Sequence, residues 1–242
     1  AIKLKPDHFA AYHNMADLIE PSEAASWLDR IAALSPEAPE DRAAIGYLRA
    51  HLLDQLSDHA GAVAAWADAA AARRASFNAP FNADGHNALI DGVITAFSTE
   101  RLRRLQTGSM DERRYIFVVG LPRSGSTLPA RLMGGDPALV DLGERRVLAT
   151  EVANGLNTIG GPHGAAFAQL GRAEAASIYQ VYCRELPATG VFLDKYLENT
   201  LFLGLIWAAF PNAKIIHTKR DRSDCLFSCY TKNFAMGNEW TY

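Results

Sequence analysis

In IFVVGLPRSGSTL, residues 116–128, a β-branched and aromatic run ends in a glycine, and a tight turn then leads through hydroxyl residues into an expected helix. The stretch follows the phosphate-cradling pattern G-x-x-x-x-G-K-[ST] at Gly120, Gly125 and Thr127, but Ser126 occupies the lysine position. Amide groups at a helix N-terminus and the positive end of its dipole make an anion site. Ser124, Ser126 and Thr127 add hydroxyl donors, and Gly125 allows an anion to approach the backbone. In a nucleoside triphosphatase the missing lysine would reach the β- and γ-phosphates. Here the cation has moved to Arg123, whose planar fork suits a bidentate oxyanion. A short anionic group without a triphosphate tail fits such a loop better.

Strand-to-helix context gives the pattern its information. From about Asp111 onward, short apolar strands alternate with helical stretches, with strands expected at Tyr115–Val119, Val191–Leu193 and Lys214–Thr218. Helices are expected near 126–134, 144–157, 173–186, 199–209 and 223–233. That rhythm predicts an α/β fold with a parallel sheet flanked by helices, whose ligands sit beyond the carboxyl ends of the strands. The polar stretches that could do chemistry all follow those ends.

Residues 1–110 are different. They are alanine-rich and helical in pattern, with 10 Lys/Arg against 14 Asp/Glu, whereas residues 111–242 hold 14 against 13. Ala50, Ala62, Trp66 and Ala69 take the small, small, aromatic, small positions of a tetratricopeptide repeat of about 34 residues. Small residues let two helices approach closely, and one aromatic fills the gap between them. LSPEAPED (34–41) would be the turn between repeats, and LKPDH (4–8) an earlier copy. The expected organisation is a helical-repeat region over 1–75, a helical linker over 76–110 and a P-loop-type domain over 111–242. The start inside a helical pattern and the stop at Tyr242 suggest a piece of a longer protein whose C-terminal part of the fold is missing.

The 242 residues carry a net charge of −3 and no basic face, which argues against a nucleic-acid partner. The strongly apolar uncharged run NTLFLGLIWAAFPNA (199–213) contains Pro211 and is short for a membrane span of about 20 residues. No signal peptide opens the chain, so a cytoplasmic location is expected. Cys183, Cys225 and Cys229 are too few for a disulfide framework. Cys225 and Cys229 lack the second pair a metal would need, and no metal is expected.

PRSGST (122–127) resembles the 5′-phosphosulfate loop of sulfotransferases that use 3′-phosphoadenosine 5′-phosphosulfate (PAPS). The likeness is closest to bacterial tetratricopeptide-repeat sulfotransferases and more distant to protein-tyrosine sulfotransferases. Three further stretches agree in order. DLGERR (141–146) resembles the segment with the catalytic glutamate, implying Glu144. LDKYLEN (193–199) is similar to the strand-ending lysine motif, implying Lys195. FPNAKIIHTKRDRSDCLFSCY (210–230) resembles the 3′-phosphate motif, implying Arg220 and Ser228. Arg222 and Ser223 stand where the family has Pro-Arg, which leaves open whether Arg222 supplies a second cation.

The resemblance implies transfer of a sulfuryl group from PAPS to a hydroxyl acceptor, with 3′-phosphoadenosine 5′-phosphate (PAP) as product and no metal. Glu144 and Lys195 would be catalytic. Arg123, Ser124, Gly125, Ser126, Thr127, Arg220 and Ser228 would hold the donor. Blander roles stand beside these. Thr127 could simply cap its helix, Glu144 could serve the helix dipole from a first turn, and Arg220–Asp221 could be a surface ion pair. His217, inside an apolar strand, is expected in the core, while His163 in GGPHG (160–164) is a lid-loop base candidate. The alternatives are a P-loop kinase or nucleoside triphosphatase, and a repeat-based binding protein with a vestigial transferase domain. The acceptor, a tyrosine of a peptide, a sugar or a small alcohol, is not encoded; a peptide or protein held by the helical repeats is favoured.

Overall fold

The computed structural model describes residues 2–106, 111–152, 167–234 and 238–242. Its packing divides the chain into two units, Ala1–Phe81 with Leu226–Tyr242, and Asn82–Cys225.

The first unit is helical. Its longest helices, Pro39–Gln55 and His59–Ala75, are joined by a three-residue turn and pack as a hairpin. Proline opens the first helix, and the Asp58 carboxylate caps the second by accepting from the Gly61 amide at 3.0 Å. The hairpin is tight because its seam is small. A Cβ on Gly46 would lie 2.8 Å from that of Ala69, and Ala50, Ala62 and Ala69 are buried beside Trp66. Shorter helices, Phe9–Asn14 and Ala24–Ala32, bury Tyr12 and Ile31 against Leu48 and Leu52.

The second unit is built on a sheet of four parallel strands in the order β2-β3-β1-β4. The strands are β1 (Arg114–Gly120), β2 (Leu139–Asp141), β3 (Val191–Asp194) and β4 (Lys214–Thr218). Side chains alternate across β1, as a pleated strand requires. Tyr115, Phe117 and Val119 enter a large aromatic core on one face, and Ile116 and Val118 meet Ala130 and Met133 of helix Thr127–Gly134 on the other. Helices Arg172–Cys183 and Leu203–Ala209 supply Tyr179, Tyr182, Leu205 and Ile206 to the aromatic face. Helices Ala83–Ala96 and Thr99–Leu105, in the stretch expected to link the two regions, add Ala96 and Leu105 to the same core.

Two local expectations change. β2 was not foreseen, because a three-residue strand has too little length to show a period. His217 was expected in the core but is exposed, since β4 lies at the edge of the sheet and buries no residue fully. His163 lies outside the described residues. Among those described, no helix is long and apolar enough to cross a membrane.

Phe210 anchors the aromatic face. It is 2% exposed, and its ring centroid lies 5.0 Å from Tyr115, 5.3 Å from Phe117, 5.2 Å from Tyr179 and 5.0 Å from Tyr182. Phe210→Ala is expected to lower the stability of this unit by about 3–5 kcal/mol in urea denaturation, through lost contacts and the cavity left behind. A loss under about 1 kcal/mol would show that the aromatic cluster does not hold the sheet's face.

Candidate active site

The anion loop runs from Gly120 to Ser126 and feeds helix Thr127–Gly134. Three of its residues are left-handed: Gly120 at φ +145°, Arg123 at φ +67° and Gly125 at φ +91°. Glycine is required at 120 for space as well as angle, because an added Cβ would meet the Thr218 carbonyl oxygen at 2.6 Å. At Gly125 an added Cβ would meet nothing within 4 Å, so the backbone there borders open space. Arg123 accepts a conformation that disfavours a side chain by roughly 1–2 kcal/mol, and alternating backbone hands of this kind point successive amides into a concavity suited to anions.

Hydrogen bonds pin the loop on several sides. The Ser124 hydroxyl pairs with that of Thr218 at 2.8 Å, which fastens the loop to the end of β4. The Gly120 amide donates to Thr200 Oγ1 at 3.1 Å, and the Cys225 thiol donates to the Pro122 carbonyl at 3.1 Å. Ser124 is therefore a structural clamp as well as a possible donor. The N-cap is Ser126, not Thr127; its buried hydroxyl makes no capping bond. The first-turn amides of the helix thus have no side-chain cap, while Arg123 and Thr127 are exposed.

β3 and the segment after β2 bring the two expected catalytic residues together. The parallel ladder extends past β2 through Leu142, whose amide donates to Leu193 at 2.8 Å, and the Lys195 amide returns a bond to the Gly143 carbonyl at 2.8 Å. Lys195 Nζ then forms an ion pair with Glu144 Oε1. The lysine side chain is 17% exposed and the carboxylate 60%, so the pair lies between core and solvent. Glu144 is not in a first helical turn as expected. Gly143 turns at φ +65° with its amide on Asp141 Oδ1 at 2.8 Å, and the helix starts only at residue 147. A dipole-partner role in that turn is thereby removed.

Beyond β4, Asp221 Oδ1 accepts from the amides of Ser223 at 2.9 Å and Asp224 at 3.1 Å. It caps helix Arg222–Tyr230 instead of pairing with Arg220. Arg220 Nη2 meets Asp224 Oδ2 at 3.5 Å, an exposed contact of little energetic weight. Arg222 is exposed at the first position of the helix. Ser228 lies farther along the same helix, in the part that belongs to the helical unit.

Sequence reasoning missed Asp194. It is 1% exposed and accepts from the Tyr182 hydroxyl at 2.6 Å, the Tyr196 amide at 2.9 Å and Asn199 Nδ2 at 3.3 Å. The Arg145 guanidinium stacks 4.8 Å from the Tyr182 ring centroid and donates to the Tyr182 carbonyl. Loss of hydration raises the Asp194 carboxyl to about 6, although these donors and the Arg145 charge pull the other way. An acidic residue directly before Lys195, closing an apolar strand, was the available signal.

Among the described residues, no group of three or more His, Cys, Asp or Glu side chains could hold a metal ion. Residues 115–242 match the model of the sulfotransferase family. An uncharacterized protein of Aquifex aeolicus (strain VF5) is 29% identical over 212 residues, which cover 83% of this chain and 28% of the relative. The chain thus spans less than a third of the length of that curated relative. No solved structure matches it.

Asp194 gives the site a pH signature. A carboxyl raised on folding binds its proton more tightly in the native state, so its contribution is fully present below about pH 4 and is lost as pH rises to about 6. The stability of the protein relative to Asp194→Asn should fall across that window by on the order of 3 kcal/mol, then stay level. Urea denaturation at a series of pH values measures this; a difference that does not change between pH 4 and 6 would contradict a desolvated carboxyl at this position.

Proposed function

The chain belongs to the sulfotransferase family, and from that premise we propose that it moves the sulfuryl group of PAPS to a hydroxyl acceptor, releasing PAP. The observation that carries the reading is the direct pairing of Lys195 with Glu144 at the same end of the sheet as the anion loop. A carboxylate that can take a proton and a cation that can neutralise a leaving oxygen are what transfer to a hydroxyl needs.

PAPS supplies an activated sulfuryl group on a phosphate leaving group. Glu144 removes the acceptor's hydroxyl proton as the new S–O bond forms. Lys195 donates to the bridging oxygen that departs with the phosphate when the old S–O bond breaks. The fit to the donor's 5′ end rests on open space at Gly125, the uncapped first-turn amides and the nearby Arg123. Arg123, Ser124, Gly125, Ser126 and Thr127 hold that end, and Arg220 binds the 3′-phosphate. The absence of a lysine at Ser126 disfavours a nucleoside triphosphate. The helical hairpin, with its tetratricopeptide-like small-residue seam, supports a peptide or protein as acceptor.

Arg220 provides the test. Its contact with Asp224 is long and exposed, so Arg220→Ala should hardly change stability. By calorimetry it should weaken PAP binding by about 2–4 kcal/mol, while leaving adenosine 5′-phosphosulfate, which has no 3′-phosphate, nearly unaffected. Equal losses for both ligands would give Arg220 a structural role only. Tighter binding of ATP with Mg²⁺ than of PAP to the unaltered protein would overturn the sulfotransferase reading in favour of a kinase.

A further inference from the structure

A buried carboxylate is a costly way to end a strand. Removing Asp194 from water is opposed by loss of hydration, and an apolar residue of similar volume would suit the aromatic core better. The arrangement around it has a more specific consequence. The bond from the Tyr196 amide to Asp194 Oδ1 closes a side-chain turn over residues 194–196, with Lys195 at its centre. Asn199, itself fully buried, donates to the same oxygen from the 3-10 turn Leu197–Phe202, tying the far side of the segment back. Tyr182, also fully buried, holds the second oxygen at 2.6 Å and so fixes the rotation of the carboxylate. On the other flank, the Lys195 amide is held by the Gly143 carbonyl, next to Glu144.

We propose that Asp194 is the positioning residue for Lys195: locked by Tyr182 and Asn199, it shapes the turn from which the lysine reaches Glu144. The carboxylate acts on the lysine's backbone, and the aromatic core orients the carboxylate. In the sulfuryl-transfer reading, on which the functional consequence rests, this holds the ammonium ready for the leaving oxygen without rearrangement of the turn.

Competitive acetylation with acetic anhydride, followed by mass spectrometry of the Lys195 peptide, tests the placement without any donor. In Asp194→Ala, Lys195 should be acetylated several-fold faster, with Lys214 and Lys219 unchanged. Asp194→Asn retains an acceptor for the Tyr196 amide and should restore most of the protection. Asn199→Ala, which removes one donor, should move Lys195 in the same direction as Asp194→Ala and serves if that variant does not fold. Unchanged Lys195 labelling in the folded variants would overturn the proposal.

A binding cycle with Lys195→Ala separates positioning from general support. Asp194→Ala should weaken PAP binding when Lys195 is present and have little effect when it is absent. The same loss with and without Lys195 would make Asp194 merely structural and would also overturn the proposal. Failure of the unaltered protein to bind PAP would count against the sulfotransferase chemistry, and the labelling result would then decide the placement by itself.

Discussion

Parallel pairing of β1 with a strand on either side is the constraint on which the site depends. Phe117 is in register with Asp194 on β3, and Gly120 with Thr218 on β4. Parallel strands end on one side of a sheet, so the anion loop, the Lys195 turn and the segment toward Arg220 all emerge there. Side-chain and backbone bonds then join these exits. Ser124 meets Thr218, Gly120 meets Thr200, and Lys195 meets Gly143. Each exit is thereby tied to a neighbouring one.

That mutual support allows the site to hold features that would be unfavourable alone. Arg123 is left-handed without being glycine, and Gly120 is closed in by Thr218. Asp194 is an acid among aromatic rings, raised to about 6 by loss of hydration. Backbone strain and buried polar groups persist where surrounding structure determines them, and they gather at functional sites. The rigid part here is the aromatic face of β1, which fixes Tyr182 and, through it, the carboxylate beside Lys195.

The strand–loop–helix at 114–134 was legible because it combines a β-branched run, spaced glycines and hydroxyls at a helix start. Lys214–Thr218 was found at its full length for a similar reason, although its exposure was not. An apolar pattern predicts a strand, but it does not say whether that strand lies at an edge, and His217 was misjudged for this reason. β2 left no periodic trace in three residues. Glu144 was located by motif but assigned to a helix, since an Asx-type turn at Asp141–Gly143 outweighs helical propensity over so short a span. The clamp on Asp194 joins residues 182, 194, 196 and 199 across separate elements. The Tyr196 bond is a local turn, but those from Tyr182 and Asn199 are set by tertiary packing and have no spacing that a sequence displays.

In the proposed function Glu144 and Lys195, paired at the end of the sheet, carry out sulfuryl transfer. The most direct measurement is to incubate the protein with radiolabelled PAPS and a cell extract, then follow label into products identified by mass spectrometry. Label should enter a hydroxyl-bearing acceptor, and Glu144→Gln or Lys195→Ala should each abolish the incorporation while leaving the fold unchanged. Transfer that survives Glu144→Gln at the unaltered rate would contradict the role assigned to the pair.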